Sequence, residues 1–287
     1  MEILPFLILP FIASLILTGI HAYLGVHVVE RGVIFVDLAL AQIAALGATV
    51  AILVGMDPHG NAAYWMSLGF TFLGALIFSF VRSRKKRIPL EAFIGITYAV
   101  ASAAAIIAMS KATGETEHLK DMLVGNILAV SKHDVIKTAI LYGAIGAFHF
   151  IFRKKFLAIS MQHDAAESSG LNVRLWDFLF YASFGFVVTS SVAIAGVLLV
   201  FCYLVVPSVG AMVFADRIGP RLAIGWTMGT LVSALGCYFS VVFDTPTGAT
   251  IVCTFGAVLV CMALARATFF KIHKPAELED HAVARRS

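Results

Sequence analysis

Charged residues are scarce in this chain. Only 13% of its 287 residues are Asp, Glu, Lys or Arg, whereas 60% are hydrophobic; an ordinary soluble domain carries about 25% charged residues. This composition excludes a typical soluble globular domain. Apolar runs of about 20 residues, the length that crosses a ~30 Å bilayer core as a helix, recur between residues 3 and 270. The sequence therefore predicts an all-α polytopic integral membrane protein.

Motifs for nucleotide hydrolysis and for intramembrane catalysis are also missing. There is no GxxxxGK[ST] loop, so the chain does not cradle and hydrolyse nucleotide by itself. Neither HExxH nor DDxxD occurs, which argues against a metalloprotease or a prenyl transferase. The four cysteines lie inside apolar runs and indicate buried small side chains, not disulfides or a CxxC metal site. We expect no enzyme activity, and any energy for transport must come from another chain.

Nine apolar segments are predicted to cross the membrane, with eight as the alternative count. Residues 111–134 are the weak point of this topology, because their apolar piece at 122–130 has nine residues and is too short to cross as a helix. That piece either lies at the outer surface or enters as a re-entrant element. Residues 1–270 form one predicted transmembrane domain, and residues 271–287 form a cytoplasmic tail. The nine segments are 3–24, 33–55, 61–81, 91–110, 134–152, 175–192, 194–215, 222–243 and 247–270.

Lysine and arginine are distributed unequally between the two sides of this topology. Seventeen lie on one side and four on the other. Because short cytoplasmic loops are enriched in basic residues, the richer side is predicted to be cytoplasmic. This places the amino terminus outside and the carboxyl terminus in the cytoplasm. The basic residues behind the net charge of +4 thus indicate how the chain is oriented in the membrane, and we expect no nucleic-acid partner.

Polar residues within the second span are the first candidates for an ion path. Asp37 is only ~6 Å along its span, where it would either pair with Arg31 at headgroup level or act as a functional carboxylate. Gln42 lies five residues further, which is ~140° around the helix, so the two side chains do not form a ligand pair.

Three residues in predicted external loops are candidate weak ligands at the outer mouth: Asp57, His59 and Asp244. A solvated turn is the alternative for each. The nine histidines include no HxxxH or HExxH spacing, so a stable structural zinc site is not expected. We expect no stably bound cofactor.

The longest predicted cytoplasmic connection covers residues 153–174. It carries mixed charge and a helix-like piece at 164–169 that Gly170 would end. Two interpretations stay open, a docking helix for a partner and an amphipathic connector on the membrane surface. A GxxxG at Gly225 and Gly229 predicts close helix packing, either within one subunit or between subunits.

The chain resembles the permease subunits of the metal-ion family of ABC transporters, those for zinc, manganese or iron(II), over residues 25–270. The order and spacing of several stretches carry the resemblance together. They are Arg31 with Ala-Leu-Ala-Gln at 39–42 and Gly47; 123–131; Glu167, Ser168 and Gly170 with Asn172 and Val173; Gly-Val-Leu-Leu at 196–199 up to Pro207; and Asp-Thr-Pro-Thr-Gly at 244–248.

The resemblance implies an ATP-driven importer permease in the bacterial inner membrane, with zinc as the first expected cargo and manganese or iron(II) as the alternative. It implies a homodimer with the path at its two-fold axis, and two cytoplasmic ATPase subunits docked near Glu167, Ser168, Gly170 and Asn172. An external metal-binding protein would deliver the ion, and residues 156–172 would transmit the ATPase motion.

One departure from the family pattern concerns the metal ligands. The family usually carries Asp in the second span and His four residues later, the His standing five residues before a Gly. Aligned on Gly47, this chain has Leu38 and Gln42 at those positions, with Asp37 one place early. The family's ligand pair therefore does not carry over, and the metal and its route remain open.

Two further transporter classes are weaker interpretations. A secondary transporter would need ionisable residues deep in several spans, which are almost absent apart from Asp37. A siderophore or vitamin ABC permease would usually be longer, with ten spans.

Overall fold

The computed structural model describes residues 3–57, 60–82, 89–110 and 127–272, and the statements below concern these residues. They form helices and connecting turns, with no strand in the described ranges. A short 3-10 turn covers Ile127–Ala129. The helices are α1 Ile3–Glu30, α2 Val36–Leu53, α3 Asn61–Arg82, α4 Leu90–Met109, α5 Lys132–Ile151, α6 Arg153–Met161, α7 His163–Ser168, α8 Val173–Ala195, α9 Val197–Met212, α10 Ile218–Val242 and α11 Thr247–Ile272.

Each of the nine predicted apolar segments coincides with a helix, which confirms the fold class. Eight of these helices are long and apolar enough to cross a membrane. The ninth, α9, is apolar but has 16 residues, or ~24 Å of rise. Residues 111–126 and 273–287 lie outside the described residues, as do most of the 122–130 piece and the tail.

The long apolar stretch between residues 173 and 212 is divided at Gly196, which separates α8 from α9. Gly196 has a φ of 76°, a conformation that glycine adopts without steric cost. Its amide donates to the Val192 carbonyl at 2.9 Å, and its carbonyl accepts from the Val200 amide at 3.1 Å. The backbone groups of Gly196 are therefore hydrogen-bonded both to the end of α8 and to the start of α9.

The helices pack in two groups joined by α8. In one group α2 packs against α3 and α4, and in the other α1 packs against α9 and α10. Helix α8 contacts α2, α3 and α9, and its side chains Phe180, Tyr181 and Phe184 are fully buried. The core thus follows α8 through the middle of the subunit.

Small residues let α1 approach its neighbours closely. A Cβ added at Gly25 would lie 2.0 Å from the Leu204 carbonyl oxygen, and one at Gly229 would lie 2.4 Å from Thr18 Cγ2. Gly225 faces Ala22 and Pro207 at 3.6 Å. The GxxxG glycines therefore contact helices of their own subunit, as the first of the two interpretations predicts.

The connection between α5 and α8 contains the two short helices α6 and α7. Gly170, with a φ of 81°, follows α7. Its amide donates to the Glu167 carbonyl at 3.1 Å, and the Leu171 amide donates to Ala166 at 3.3 Å, a pair of bonds that closes a helix in the Schellman pattern. The prediction of a helix ended by Gly170 is confirmed. Asn172 then caps α8, its side chain accepting from the Leu175 amide at 3.2 Å.

Candidate functional site

Asp37 lies buried in the first turn of α2, with 2% of its surface exposed. No side chain of the described residues donates a hydrogen bond to either carboxylate oxygen; the donors that act on the carboxylate are the backbone amides of Asp37 and Leu38. The interpretation in which Asp37 pairs with Arg31 at headgroup level is wrong, because Arg31 contacts Asp177 instead and Asp37 is enclosed by protein.

A second carboxylate, Glu91, lies beside this end of α2. Its Oε1 accepts the Phe35 amide at 3.1 Å, which holds the start of α4 against the start of α2. Its Oε2 is buried and accepts no hydrogen bond from a described side chain, although the Ile34 amide also acts on this carboxylate. Glu91 is close enough for its charge to act on Asp37, and the charge of Asp37 in turn acts on Cys202 of α9. Three helices therefore meet around two carboxylates.

This pair has a definite chemical preference. Two neighbouring carboxylates repel each other in a medium of low dielectric unless a proton or a cation lies with them. Carboxylate oxygens are hard ligands, the type that suits manganese, magnesium and calcium better than the nitrogen and sulfur ligands typical of zinc. Sequence reasoning missed Glu91 because it stands at the start of its span, where a carboxylate looks interfacial.

The other predicted pathway residues do not join this pair. Gln42 is half-buried further along α2, and Asp57 is exposed beyond the opposite end of that helix, which is ~27 Å long. Asp244 is exposed, and His59 lies outside the described residues. Within the described ranges no group of three or more His, Cys, Asp or Glu residues is placed to hold a metal ion. The structure therefore contains no preassembled cage in that part of the chain.

The turn at Asp244 has a structural explanation. Asp244 has a φ of 52° after the end of α10. Ser240 closes the turn, since its hydroxyl donates to the Thr245 carbonyl at 2.7 Å and its carbonyl accepts the Thr245 amide at 3.0 Å. The Ser240 and Thr247 hydroxyls are also 2.6 Å apart. A well-bonded turn accounts for the arrangement.

Three histidines are buried inside the helices and bond to the protein. His21 Nδ1 donates to the Leu17 carbonyl at 2.8 Å, and its Nε2 is 3.1 Å from Ser191 Oγ. His149 Nε2 is 2.8 Å from Ser183 Oγ. His27 Nδ1 is 2.8 Å from Ser160 Oγ. These contacts link helices of the subunit.

A buried polar network, which we call the Arg31 network, joins α1, α6 and α8. Arg31 Nη1 is 2.7 Å from Asp177 Oδ1, and both side chains are 0% exposed. Arg31 Nε donates to Ser160 Oγ at 2.8 Å, the same oxygen that His27 contacts. The guanidinium lies 3.8 Å from the ring centroid of Phe180. The sequence shows Arg31 only as a basic residue at a span end, so its partners could not be identified there.

The four predicted coupling residues are all exposed. Glu167 and Ser168 end α7, Gly170 forms the turn after it, and Asn172 begins α8. Ala166, directly before Glu167, is buried and attaches α7 to the subunit. The segment thus has one attached face and one face open to a partner.

Comparisons with known proteins agree with this architecture. The family model described as "ABC 3 transport family" matches residues 4–266. The manganese transport system membrane protein MntC of Listeria innocua is 29% identical over 241 residues, covering 84% of each chain. The chelated iron transport system membrane protein YfeC of Yersinia pestis is 26% identical over 239 residues, 83% of this chain and 79% of the relative.

A solved structure shows the same fold. The structure of PsaBC from Streptococcus pneumoniae in complex with Fab matches with a TM-score of 0.75 and 24% identity, covering 90% of both chains. The match extends over the membrane-spanning helices and confirms the predicted permease fold. Together with the family match over nearly the whole chain, it shows that this protein belongs to the ABC 3 transport family, as a multi-span membrane permease of a metal-ion ABC importer and not an enzyme.

Proposed function

We propose that this permease imports manganese(II) or iron(II). The sequence alone put zinc first, but the relatives MntC and YfeC carry the names of manganese and chelated-iron systems. The alternative of the sequence analysis is therefore better supported than its main expectation. The single observation in the chain that carries the proposal is Asp37, a buried carboxylate that accepts no hydrogen bond from a described side chain and has no described counter-charge.

Asp37 and Glu91 supply oxygen ligands of the type that manganese prefers. Both have buried oxygen atoms available to a cation. A passing ion is served by a few weak ligands, because tight coordination would hold it in the path. We assign Asp37 as a ligand on the route and Glu91 as its neighbour, with Gln42, Asp57, His59 and Asp244 as weaker candidates along it.

The surrounding machinery follows the family pattern in this proposal. Two copies of the chain form the permease, and the exposed residues Glu167, Ser168, Gly170 and Asn172 dock the ATPase chains on the cytoplasmic side. An external binding protein delivers the ion. The amino terminus faces outward and the carboxyl terminus lies in the cytoplasm of a bacterial cell. ATP binding then drives alternating access between the two sides.

The cargo is tested by uptake into proteoliposomes that contain the permease, its ATPase and its binding protein. We expect ATP-dependent manganese or iron uptake, reduced about tenfold or more in Asp37→Asn, since roughly 1.4 kcal/mol of lost ligand interaction already gives a factor of ten. Asp216→Asn, an exposed loop carboxylate, is the matched control. Preferential zinc uptake in direct competition would overturn the metal assignment, and ATP-independent uptake would overturn the transport class.

The docking surface is tested separately with Gly170→Ala. Alanine at a φ of 81° is strained, so the turn should change and ATPase co-purification should fall. Gly146→Ala, a helical position with no heavy atom within 4 Å of an added Cβ, serves as the control. Unchanged co-purification together with unchanged uptake in Gly170→Ala would refute the assignment of this segment.

A further inference from the structure

The docking segment must be attached to the transmembrane helices if its motion is to move them. Two fully buried apolar residues of α6, Phe156 and Ile159, provide one attachment. Phe156 stacks on the His149 ring with centroids 4.2 Å apart and meets the Trp176 ring edge-on at 5.4 Å. Apolar contacts of this kind give affinity but allow sliding and rotation, because they have little directional preference.

Ser160, adjacent to Ile159, provides a directional attachment. It is 6% exposed, and its hydroxyl oxygen accepts a hydrogen bond from Arg31 Nε at 2.8 Å. The same oxygen is 2.8 Å from His27 Nδ1. One hydroxyl on α6 therefore contacts His27 in the last turn of α1 and Arg31 directly after that helix, two side chains four residues apart.

Arg31 extends this connection to α8. While Nε bonds Ser160, Nη1 is 2.7 Å from Asp177 Oδ1 at the beginning of α8. The plane of the guanidinium is fixed further by the Phe180 ring at 3.8 Å. Because the guanidinium is a rigid planar fork, these contacts set the relative orientation of α1, α6 and α8 and not merely their separation.

We propose that Arg31 is a positioning residue for transport, holding the ATPase-docking segment through Ser160 so that its displacement is passed to α1 and α8. The inference rests on the proposed docking role of residues 167–172. It assigns to Arg31 and Ser160 a function in transmission, separate from ATPase binding and from metal ligation. Neither residue lies on the exposed docking face, and neither side chain donates a hydrogen bond to Asp37.

The experiment compares ATP hydrolysis with metal uptake in the same proteoliposomes, using the complete permease, ATPase and binding protein. In Ser160→Ala the ions transported per ATP should fall about fivefold, the equivalent of one net hydrogen bond, while ATPase co-purification and basal hydrolysis stay as in the wild type. Arg31→Lys keeps the positive charge but loses the planar guanidinium, so the number of ions transported per ATP should fall at least as far as in Ser160→Ala.

Ser183→Ala is the matched control. It also removes a buried serine–histidine contact, the 2.8 Å contact to His149, but leaves both hydrogen-bond contacts of Ser160 in place. The ratio should stay within twofold of the wild type in this variant. An equal fall in Ser183→Ala would overturn the proposal, because general packing would then explain the effect.

Failure of the inference is distinct from failure of the proposed function. If the wild type pumps metal and Ser160→Ala keeps the same ratio of ions to ATP, the positioning role is refuted while the importer assignment stands. If the wild-type assembly shows no ATP-dependent uptake, the proposed function fails. Should Arg31→Lys not fold, Ser160→Ala and Ser183→Ala still decide the question.

Discussion

Two buried carboxylates of this chain, Asp177 and Asp37, have opposite surroundings. Asp177 faces a guanidinium at 2.7 Å inside a network of hydrogen bonds and aromatic rings. Asp37 is almost equally buried, but no described side chain donates a hydrogen bond to it, and its charged neighbour is another carboxylate, Glu91. Burial alone therefore does not distinguish the two carboxylates; their partners do.

The physical reason is the cost of placing a charge in a medium of low dielectric. A buried ion needs a counter-charge and hydrogen bonds, and without them it costs several kcal/mol. The Arg31 network supplies both for Asp177. The site of Asp37 supplies backbone amides but no counter-charge within the described residues, which is the arrangement that the proposed passage of a cation requires.

The largest expected effect comes from removing the paired carboxylate, Asp177. Asp177→Ala leaves the buried Arg31 guanidinium without that counter-charge, and we expect the free energy of unfolding to fall by about 3–5 kcal/mol. Thermal unfolding of the purified permease in detergent measures it, with Asp216→Ala as the exposed control. A loss below about 1 kcal/mol would mean that the network is not structural.

Removing both charges of the Arg31–Asp177 pair should restore much of the free energy of unfolding that Asp177→Ala loses. In the double variant Arg31→Met with Asp177→Leu, no buried charge is left unpaired, and apolar residues of similar size often replace a buried ion pair without net cost. We expect at least ~2 kcal/mol of recovery over Asp177→Ala in the same unfolding experiment. If the two variants are equally unstable, the loss of stability comes from the hydrogen bonds of the network and not from an unpaired buried charge.

Neutralising Asp37 should raise the free energy of unfolding, whereas Asp177→Ala lowers it. Asp37→Asn removes a buried charge that has no described partner, so we expect unfolding to become harder by about 1 kcal/mol while metal uptake falls. Unfolding and uptake measured on one preparation test both halves. A destabilised Asp37→Asn would place Asp37 in the structural class with Asp177.

The smallest expected effect belongs to Glu91→Gln. The amide oxygen keeps an acceptor for the Phe35 amide, so stability should change by no more than about 0.5 kcal/mol. Uptake should fall less than in Asp37→Asn, since Glu91 is the less buried neighbour. If Glu91→Gln lost more uptake than Asp37→Asn, Glu91 would be the ligand on the route and Asp37 its neighbour.

Much of the fold was predictable because its signals are local. Apolar runs mark the helices, and Gly170 and Gly196 mark two boundaries at positions where φ is positive. The error at α1 has the same local origin. The prediction ended that span at residue 24, although the helix continues to Glu30, since His27 looks like a loop residue until its partner Ser160 is known.

The candidate site was predictable only in part. Asp37 was a candidate because carboxylates are rare in apolar spans. One of its two interpretations, a pair with Arg31, is wrong, because the fold places Arg31 against Asp177 instead. Glu91 and the Arg31 network were missed. Arg31 and Asp177 are separated by 146 positions, and no periodicity links positions so far apart.

The sequence by itself determined that this is a helical membrane protein, since the length and polarity of a segment decide whether it dissolves in a bilayer. Only the tertiary structure decided which buried charges are paired. Whether a carboxylate is stabilised or left available depends on groups brought within about 3 Å by packing of distant helices, and that proximity is a property of the assembled bundle.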